Sequence, residues 1–392
     1  MSDLPPQYGM DRQFGIYMGG MGGVRPTLPI DPTALEAAAK AVLSAEAYGY
    51  VAGGAGTEAT MRANRAAFDR WQIVPRMLRN VAQRDLHVAL FGANLSVPLL
   101  LAPIGVQSIV HPEAEVAVAR AAASLNVPFV LSTASSKSLE EVAAAAGAAP
   151  HWYQLYWGRN PDVTVSMLAR AEAAGYTALV VTLDTALLSW RARDLQNAYL
   201  PFLLGQGLAN YLSDPAFRAA LPEPPEANPT EAIRYFISIF SNPTLTWEDL
   251  RFLRAHTRLP IILKGILHED DARTALDYGM DGLIVSNHGG RQVDGAVGAL
   301  EALPRVVTAV QGAIPVLFDS GIRGGSDILK ALALGARAVL LGRPYIWGLA
   351  LGGEAGVREV LLNTLADFDL TLALSGHATA AAVTATALRR AE

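Results

Sequence analysis

Eight short runs of almost unbroken apolar residues punctuate the chain: VPLLLAP (97–103), VPFVLST (127–133), HWYQLYW (151–157), ALVVTLD (178–184), LPIILKG (259–265), DGLIVSN (281–287), IPVLFDS (314–320) and AVLLGRP (338–344). They lack the in–out alternation of a sheet with one wet face. They therefore predict strands covered on both sides, as in a parallel sheet wrapped by helices. Between them the pattern changes to that of amphipathic helices, as at 113–125, 139–146, 270–278 and 326–334. Ser138 and Ser326 stand where N-caps belong, and Gly147, Gly279 and Gly335 where helices close. Eight such units predict an α/β architecture, a closed (β/α)₈ TIM barrel rather than an open doubly wound sheet.

One spacing breaks the rhythm. The fourth and fifth strand starts, 178 and 259, lie more than twice as far apart as any other neighbours. A segment of roughly 192–246 must leave the barrel after strand 4. Its LPEPPEANP predicts a mobile excursion at the barrel top, a lid or else an ornamental insertion. In the N-terminal extension, GGMGGV and YGYVAGGAG are either flexible linker or turns that lay backbone across the barrel mouth. The expected organisation is one domain, 1–392, with an N-terminal segment 1–80, a barrel 81–380 and the lid insertion 192–246 within it.

Composition narrows the class. With 392 residues, 51% of them hydrophobic, there is ample material for one large core. A net charge of -5 leaves no basic excess for nucleic acid. Cysteine is absent, which removes disulfides, thiolate metal sites and catalytic thiols together, and no metal site is expected. The opening MSDLPPQYGM has no basic stretch before an apolar one, so no secretory signal is read there. The longest apolar stretch, around 97–110, is broken by Pro98 and Pro103 and is too interrupted for a membrane span. A cytoplasmic, membrane-free enzyme is the expectation.

Barrel enzymes carry their chemistry at the carboxyl ends of the strands. Those ends hold Gln154 and Tyr156, Thr182 and Asp184, Lys264, Ser286 with His288 and Arg291, Asp319 with Arg323, and Gly342 with Arg343. After strands 7 and 8, DSGIRGGSD and LGRP combine glycines, arginines and a helix start, which suits a phosphate. In SNHGGRQ, after strand 6, His288 suits proton removal near neutral pH and Arg291 suits a carboxylate. Arg191, just past strand 4, offers the other half of a carboxylate clamp. Asp184, at the same strand end, is placed to orient and stabilise an imidazolium. Lys264 either snorkels outward or enters the mouth, where its charge would tune an electron-accepting ring. Turn glycines, solvated arginines and a surface histidine are the bland alternatives, and their coincidence at one barrel face argues against them.

Together these residues resemble the FMN-dependent L-2-hydroxy-acid oxidase family, which includes glycolate oxidase, lactate oxidase and lactate 2-monooxygenase. The likeness runs from about Tyr50 onward, through NRAAFDRW, LAPIGV, HPEAEVAVARAA, WYQLYW, TLDT, LKGI, SNHGGRQ, FDSGIRGGSD, ALALGA and LGRP. It implies FMN as cofactor. Pro103, Ile104 and Gly105 would pass beside the flavin ring. Ser132, Gln154, Thr182, Lys264 and Ser286 would contact the isoalloxazine and ribityl chain. Asp319, Gly321, Arg323, Gly342 and Arg343 would hold the ribityl and phosphate end. Tyr50, Tyr156, Arg191 and Arg291 would bind the substrate's carboxylate and hydroxyl, with His288 as base and Asp184 as its partner. Within the family, GYVAGG, VPRML, SWRARDL, NAYLPFLL and TWEDL lean the resemblance towards lactate 2-monooxygenase. Two departures bear on substrate size: Gly290, where the family more often has Ala, and Ala134, which corresponds to a tryptophan near the flavin of glycolate oxidase. Gly105 is expected to add room near the reacting carbon.

The resemblance implies oxidation of a small L-2-hydroxy acid, L-lactate foremost, by O2, in a homo-oligomer (tetramer or octamer). A retained keto acid would be decarboxylated, giving acetate, carbon dioxide and water from lactate. A released one would leave as a pyruvate-like acid beside hydrogen peroxide. Inosine-monophosphate dehydrogenase and some dihydroorotate dehydrogenases would require a catalytic cysteine. A flavocytochrome would require a haem domain, for which residues 1–80 are too short and histidine-free. An FMN-dependent isopentenyl diphosphate isomerase or a non-catalytic flavin-binding barrel needs neither His288 nor the paired Arg191 and Arg291.

Overall fold

A computed structural model describes residues 7–391. Residues 1–6, part of the opening read above for a secretory signal, lie outside the described residues. The expected barrel is closed, and its strands are all parallel: β1 (Leu99–Leu101), β2 (Phe129–Ser132), β3 (His151–Leu155), β4 (Leu179–Thr182), β5 (Ile261–Ile266), β6 (Gly282–Val285), β7 (Val316–Phe318) and β8 (Ala338–Leu341). Each lies within one of the eight apolar runs, except that β5 runs one residue past its own to Ile266, and β8 pairs back onto β1.

Alternation along each strand sorts the barrel interior into layers. Leu100, Val130, Trp152, Val180, Ile262, Ile284, Leu317 and Leu340 form one buried apolar cluster. A hairpin of Val88–Leu90 and Ala93–Leu95 joins that cluster from the amino end. At its turn Phe91 sits edge-on to Trp152, with ring centroids 5.5 Å apart, and stoppers the barrel. Two residues further along each strand comes the next inward layer: Ala102, Ser132, Gln154, Thr182, Lys264, Ser286, Asp319 and Gly342. Six of those eight positions are polar, so the barrel changes character abruptly at its carboxyl end.

The surrounding helices include Ala114–Ala123, Leu139–Ala146, Glu269–Asp277 and Gly325–Ala333. Ser138 caps its helix in a reciprocal box with Glu141. Ser326 does not cap: the N-cap is Gly324 and the helix starts at Gly325. The Gly325 N–H is met instead by Asp367 Oδ2 at 2.5 Å, in a contact so close that a Cβ at Gly325 would come within 2.3 Å of the Phe368 nitrogen. Phe368 lies on the long helix Arg343–Leu374, which kinks at Gly352 and Gly353.

Residues ahead of the barrel form helices Tyr8–Met21, Pro32–Val42, Ala45–Ala52 and Ala59–Asp69, and GGMGGV ends the first of them. The insertion after β4 is also well packed, against the weak packing expected of a mobile lid. Phe202, Tyr211, Phe217 and Phe236 are each at most 8% exposed. Their rings meet at centroid distances such as 4.8 Å for Tyr211–Phe236 and 5.6 Å for Tyr211–Phe217. The Pro-rich stretch is a structured turn in which Arg218 pairs with Glu226 at 2.8 Å and Asn228 caps Pro229–Phe240. Among the described residues, no helix is long and apolar enough to cross a membrane.

Candidate active site

Ala102, Lys264, Asp319 and Gly342 of that polar layer form the floor of a large cavity at the barrel mouth. Tyr50 and Val51 from the N-terminal segment, the loop Pro103–Gly105, and Leu200, Phe202 and Phe240 from the insertion make its walls. The YGYVAGGAG stretch is therefore wall, not linker.

Lys264 enters the mouth instead of snorkelling out. It is 4% exposed, donates to Ser286 Oγ at 2.9 Å and pairs with Asp319 at 3.1 Å. Burial works against its charge, but Asp319 and Asp184 outweigh that and raise its pKa, so it stays an ammonium ion. Ser132 Oγ accepts the Ala134 N–H at 3.2 Å, and Thr182 is buried at the same level. Gln154 carries a buried Nε2 with no partner among the described residues. An orphaned donor in the barrel centre is costly unless a bound group accepts from it, as a flavin carbonyl would.

His288 Nδ1 lies 2.8 Å from Asp184 Oδ1. This contact assigns the proton to Nδ1 and leaves Nε2 as the free base. Burial lowers the imidazole pKa even though Asp184 opposes it. Burial alone would raise Asp184, yet His288 and Lys264 outweigh it and hold the carboxyl below its ordinary value. Neutral imidazole beside ionised carboxylate is the arrangement a general base requires. Tyr156 lies 6.4 Å from His288 between ring centroids, and burial raises its phenol well above the usual range.

The guanidinium of Arg291 stacks over the Tyr50 ring at 5.3 Å and donates to the Gly53 carbonyl at 2.7 Å. Arg191 donates to the Arg291 carbonyl at 3.3 Å and to Gln292 Oε1 at 3.0 Å. Gln292 in turn donates to the Asp184 carbonyl at 2.6 Å, and so joins the base's partner to the carboxylate clamp. Across the cavity, Arg343 donates to the carbonyls of Val51, Gly53 and Gly289. Burial, then neighbouring guanidinium groups, pulls Arg291 down to about 10 and Arg343 down to about 9. Burial and Arg65 lower Arg323 likewise. Crowded buried cations call for anions. A phosphate beside Arg323 and Arg343, and a carboxylate beside Arg191 and Arg291, would meet that need, so these residues fit FMN and a hydroxy acid.

Gly321 and Gly342 line the cavity with Asp319. Four other glycines behave differently from expectation. Gly324 and Gly325 face Asp367 and Phe368 on the long helix, and the Gly325 N–H is taken by the Asp367 carboxylate rather than left for a phosphate. Gly290 has φ +76, and a Cβ there would meet Met61 N at 2.7 Å, which removes it as a determinant of substrate size. At Gly105 a Cβ would meet the Ala134 oxygen at 2.6 Å, so Ala134 takes the space that glycine was expected to leave for substrate. Sequence reasoning missed Gln292 and Ser320. Ser320 Oγ donates to Asp319 Oδ1 at 2.7 Å and accepts the N–H groups of Asn287 and Gly289 at 3.2 and 3.0 Å. Both residues follow strand ends, where period-two alternation stops and no simple spacing signals a role.

Residues 39–390 match the family model described as FMN-dependent dehydrogenase. The chain is 46% identical over 391 residues to the FMN-dependent alpha-hydroxy acid dehydrogenase qulF of Penicillium citrinum, covering 99% of this chain and 97% of that one. It is 48% identical to an L-lactate oxidase of Lysinibacillus sphaericus, covering 89% of each. A crystal structure of mandelate oxidase superposes with a TM-score of 0.82 at 41% identity, over 93% of this chain and 98% of the other. Fold, cavity and kinship agree: this chain belongs to the FMN-dependent 2-hydroxy-acid oxidase family.

Proposed function

We propose that the chain oxidises L-lactate or a similarly small, apolar L-2-hydroxy acid with O2, as a lactate 2-monooxygenase. The observation that carries this reading is the pairing of the His288–Asp184 couple with a cavity whose far wall is the aromatic insertion. Arg191 and Arg291 bind the carboxylate and so fix which face of the α-carbon is presented. FMN, when bound, supplies the acceptor for the α-hydrogen as hydride. His288 Nε2 takes the hydroxyl proton, and Asp184 stabilises the imidazolium that results. Lys264, already cationic, places a fixed positive charge in the layer beneath.

Leu200, Phe202, Phe236 and Phe240 exclude water above the reacting carbon and retain the product. Pyruvate and hydrogen peroxide held together react to give acetate, carbon dioxide and water. A second reading rests on Leu187 and Leu188, which line the cavity yet are 62% and 57% exposed. If the wall opens there before that step, the enzyme is an oxidase that releases keto acid and hydrogen peroxide. Aerobic turnover of L-lactate with acetate, pyruvate and peroxide measured together decides between them. Acetate with little peroxide is expected. Equimolar pyruvate and peroxide overturn the monooxygenase outcome, and failure of lactate to bleach the flavin overturns the substrate.

A further inference from the structure

The loop bearing His288 has an unusual backbone. His288, Gly289 and Gly290 take φ of +58, +65 and +76 in succession. Two glycines adopt that region freely, but a histidine there is strained and needs its surroundings to hold it.

The hold comes from outside the barrel. Asn64, on the helix Ala59–Asp69, exchanges both side-chain hydrogen bonds with Asn287, the residue just before the histidine. Asn64 Nδ2 donates to Asn287 Oδ1 at 2.8 Å, and Asn287 Nδ2 donates to Asn64 Oδ1 at 2.7 Å. Asn287 also donates to the Val297 carbonyl at 3.1 Å and accepts the Gly290 N–H at 3.0 Å. Each side-chain atom of this buried amide thus has two partners, and its orientation is fixed. Asn64 is 3% exposed and takes the Ala299 N–H at 3.0 Å as well.

The helix is itself bound to the same loop. Asp294 accepts the N–H groups of Thr57 and Ala59 at 2.6 and 2.7 Å, and Thr60 Oγ1 donates to the Val293 carbonyl at 2.7 Å. Met61 lies against Gly290, so the helix cannot shift without moving the loop.

We propose that Asn64 is a positioning residue that holds His288 in its left-handed conformation and so aims Nε2 at the substrate hydroxyl. This rests on the reading of His288 as the base. Without Asn64, Asn287 loses one donor and one acceptor partner inside the protein. The loop then relaxes towards an unstrained backbone and carries the imidazole with it. Asn64 is uncharged and does not itself line the cavity, although it lies beside Gly321, so binding of the carboxylate and most contacts to FMN are spared.

The test uses full-length, FMN-loaded enzyme. Anaerobic flavin reduction by L-lactate is followed in Asn64→Ala, Asn64→Asp and His288→Ala. In Asn64→Ala the saturating reduction constant should fall about 100-fold, while half-saturation and flavin content change less than about twofold, as expected for misplacement near 1 Å. Asn64→Asp keeps the acceptor for Asn287 and Ala299 but loses the donor, and should fall between wild type and Asn64→Ala. A wild-type constant per bound flavin in Asn64→Ala overturns the proposal, even if stability or flavin content drops. Should that variant not fold, a wild-type constant in Asn64→Asp overturns it equally. If His288→Ala reduces its flavin normally, the base assignment fails. If His288→Ala is dead and Asn64→Ala unimpaired, only the positioning role fails.

Discussion

His288 and Arg291 show how burial tunes individual groups. The pKa of His288 is lowered first by burial, with Asp184 opposing, so it lies below the ordinary imidazole value of about 6.5. A base must be deprotonated to act, and a lowered pKa keeps it so through neutrality. Activity is therefore present above the shifted value and is lost as pH falls through it. The acid limb of kcat/KM should lie below about 6.5, and a limb at or above that value contradicts the assignment. Arg291 makes a different demand. Its planar fork lies over Tyr50 and beside Arg191, where a single ammonium charge cannot reproduce two parallel contacts to a carboxylate. Arg291→Lys should lower kcat/KM about 10- to 100-fold, the worth of a charge-assisted hydrogen bond. Unchanged kinetics would remove Arg291 from the clamp.

At the level of elements, the barrel strands were legible because burial on both faces leaves continuous apolar runs, and β1–β8 each coincide with one of them to within a residue. The polar residues ending those runs, such as Lys264 and Asp319, were legible because charge after Ile-Ile-Leu or Val-Leu-Phe has no place in a dry core. The insertion was less legible. Its prolines signalled a break, but Phe202, Tyr211, Phe217 and Phe236 are scattered through 202–236, and only tertiary packing gathers them. Asn64 and Asn287 were illegible as a pair for a related reason, since they are far apart in the chain and no local spacing joins one to the other. The aromatic cluster leads to a prediction. Phe217 is fully buried and does not line the cavity. Phe217→Leu should destabilise the protein by about 1–2 kcal/mol and loosen the wall without disturbing the base or the clamp. Flavin reduction should stay near wild type while products shift from acetate towards pyruvate and peroxide. A fixed product ratio would show that this wall does not control retention.

Across the whole molecule, segments remote in sequence are clamped to one another. Arg84 donates to both oxygens of Asp369 at 2.7 Å, and Asp369 also accepts the Gly9 N–H at 2.8 Å. The pair ties the start of the chain and the approach to the barrel onto the long helix, with Arg84 5% and Asp369 0% exposed. Asp369→Ala leaves a buried guanidinium without its counter-charge and should cost about 3–5 kcal/mol, read as a lower Tm in thermal unfolding. A loss under about 1 kcal/mol would mean that Arg84 finds water instead. The mouth has a comparable division of labour among segments. Its electron-handling floor comes from inward positions at the ends of barrel strands, Lys264 and Asp319 among them, whereas much of its roof comes from the insertion after β4. Floor and roof are thus separate inheritances along one chain. A roof exchanged for that of another such enzyme would change what is admitted and what is let go, while the floor kept its redox chemistry.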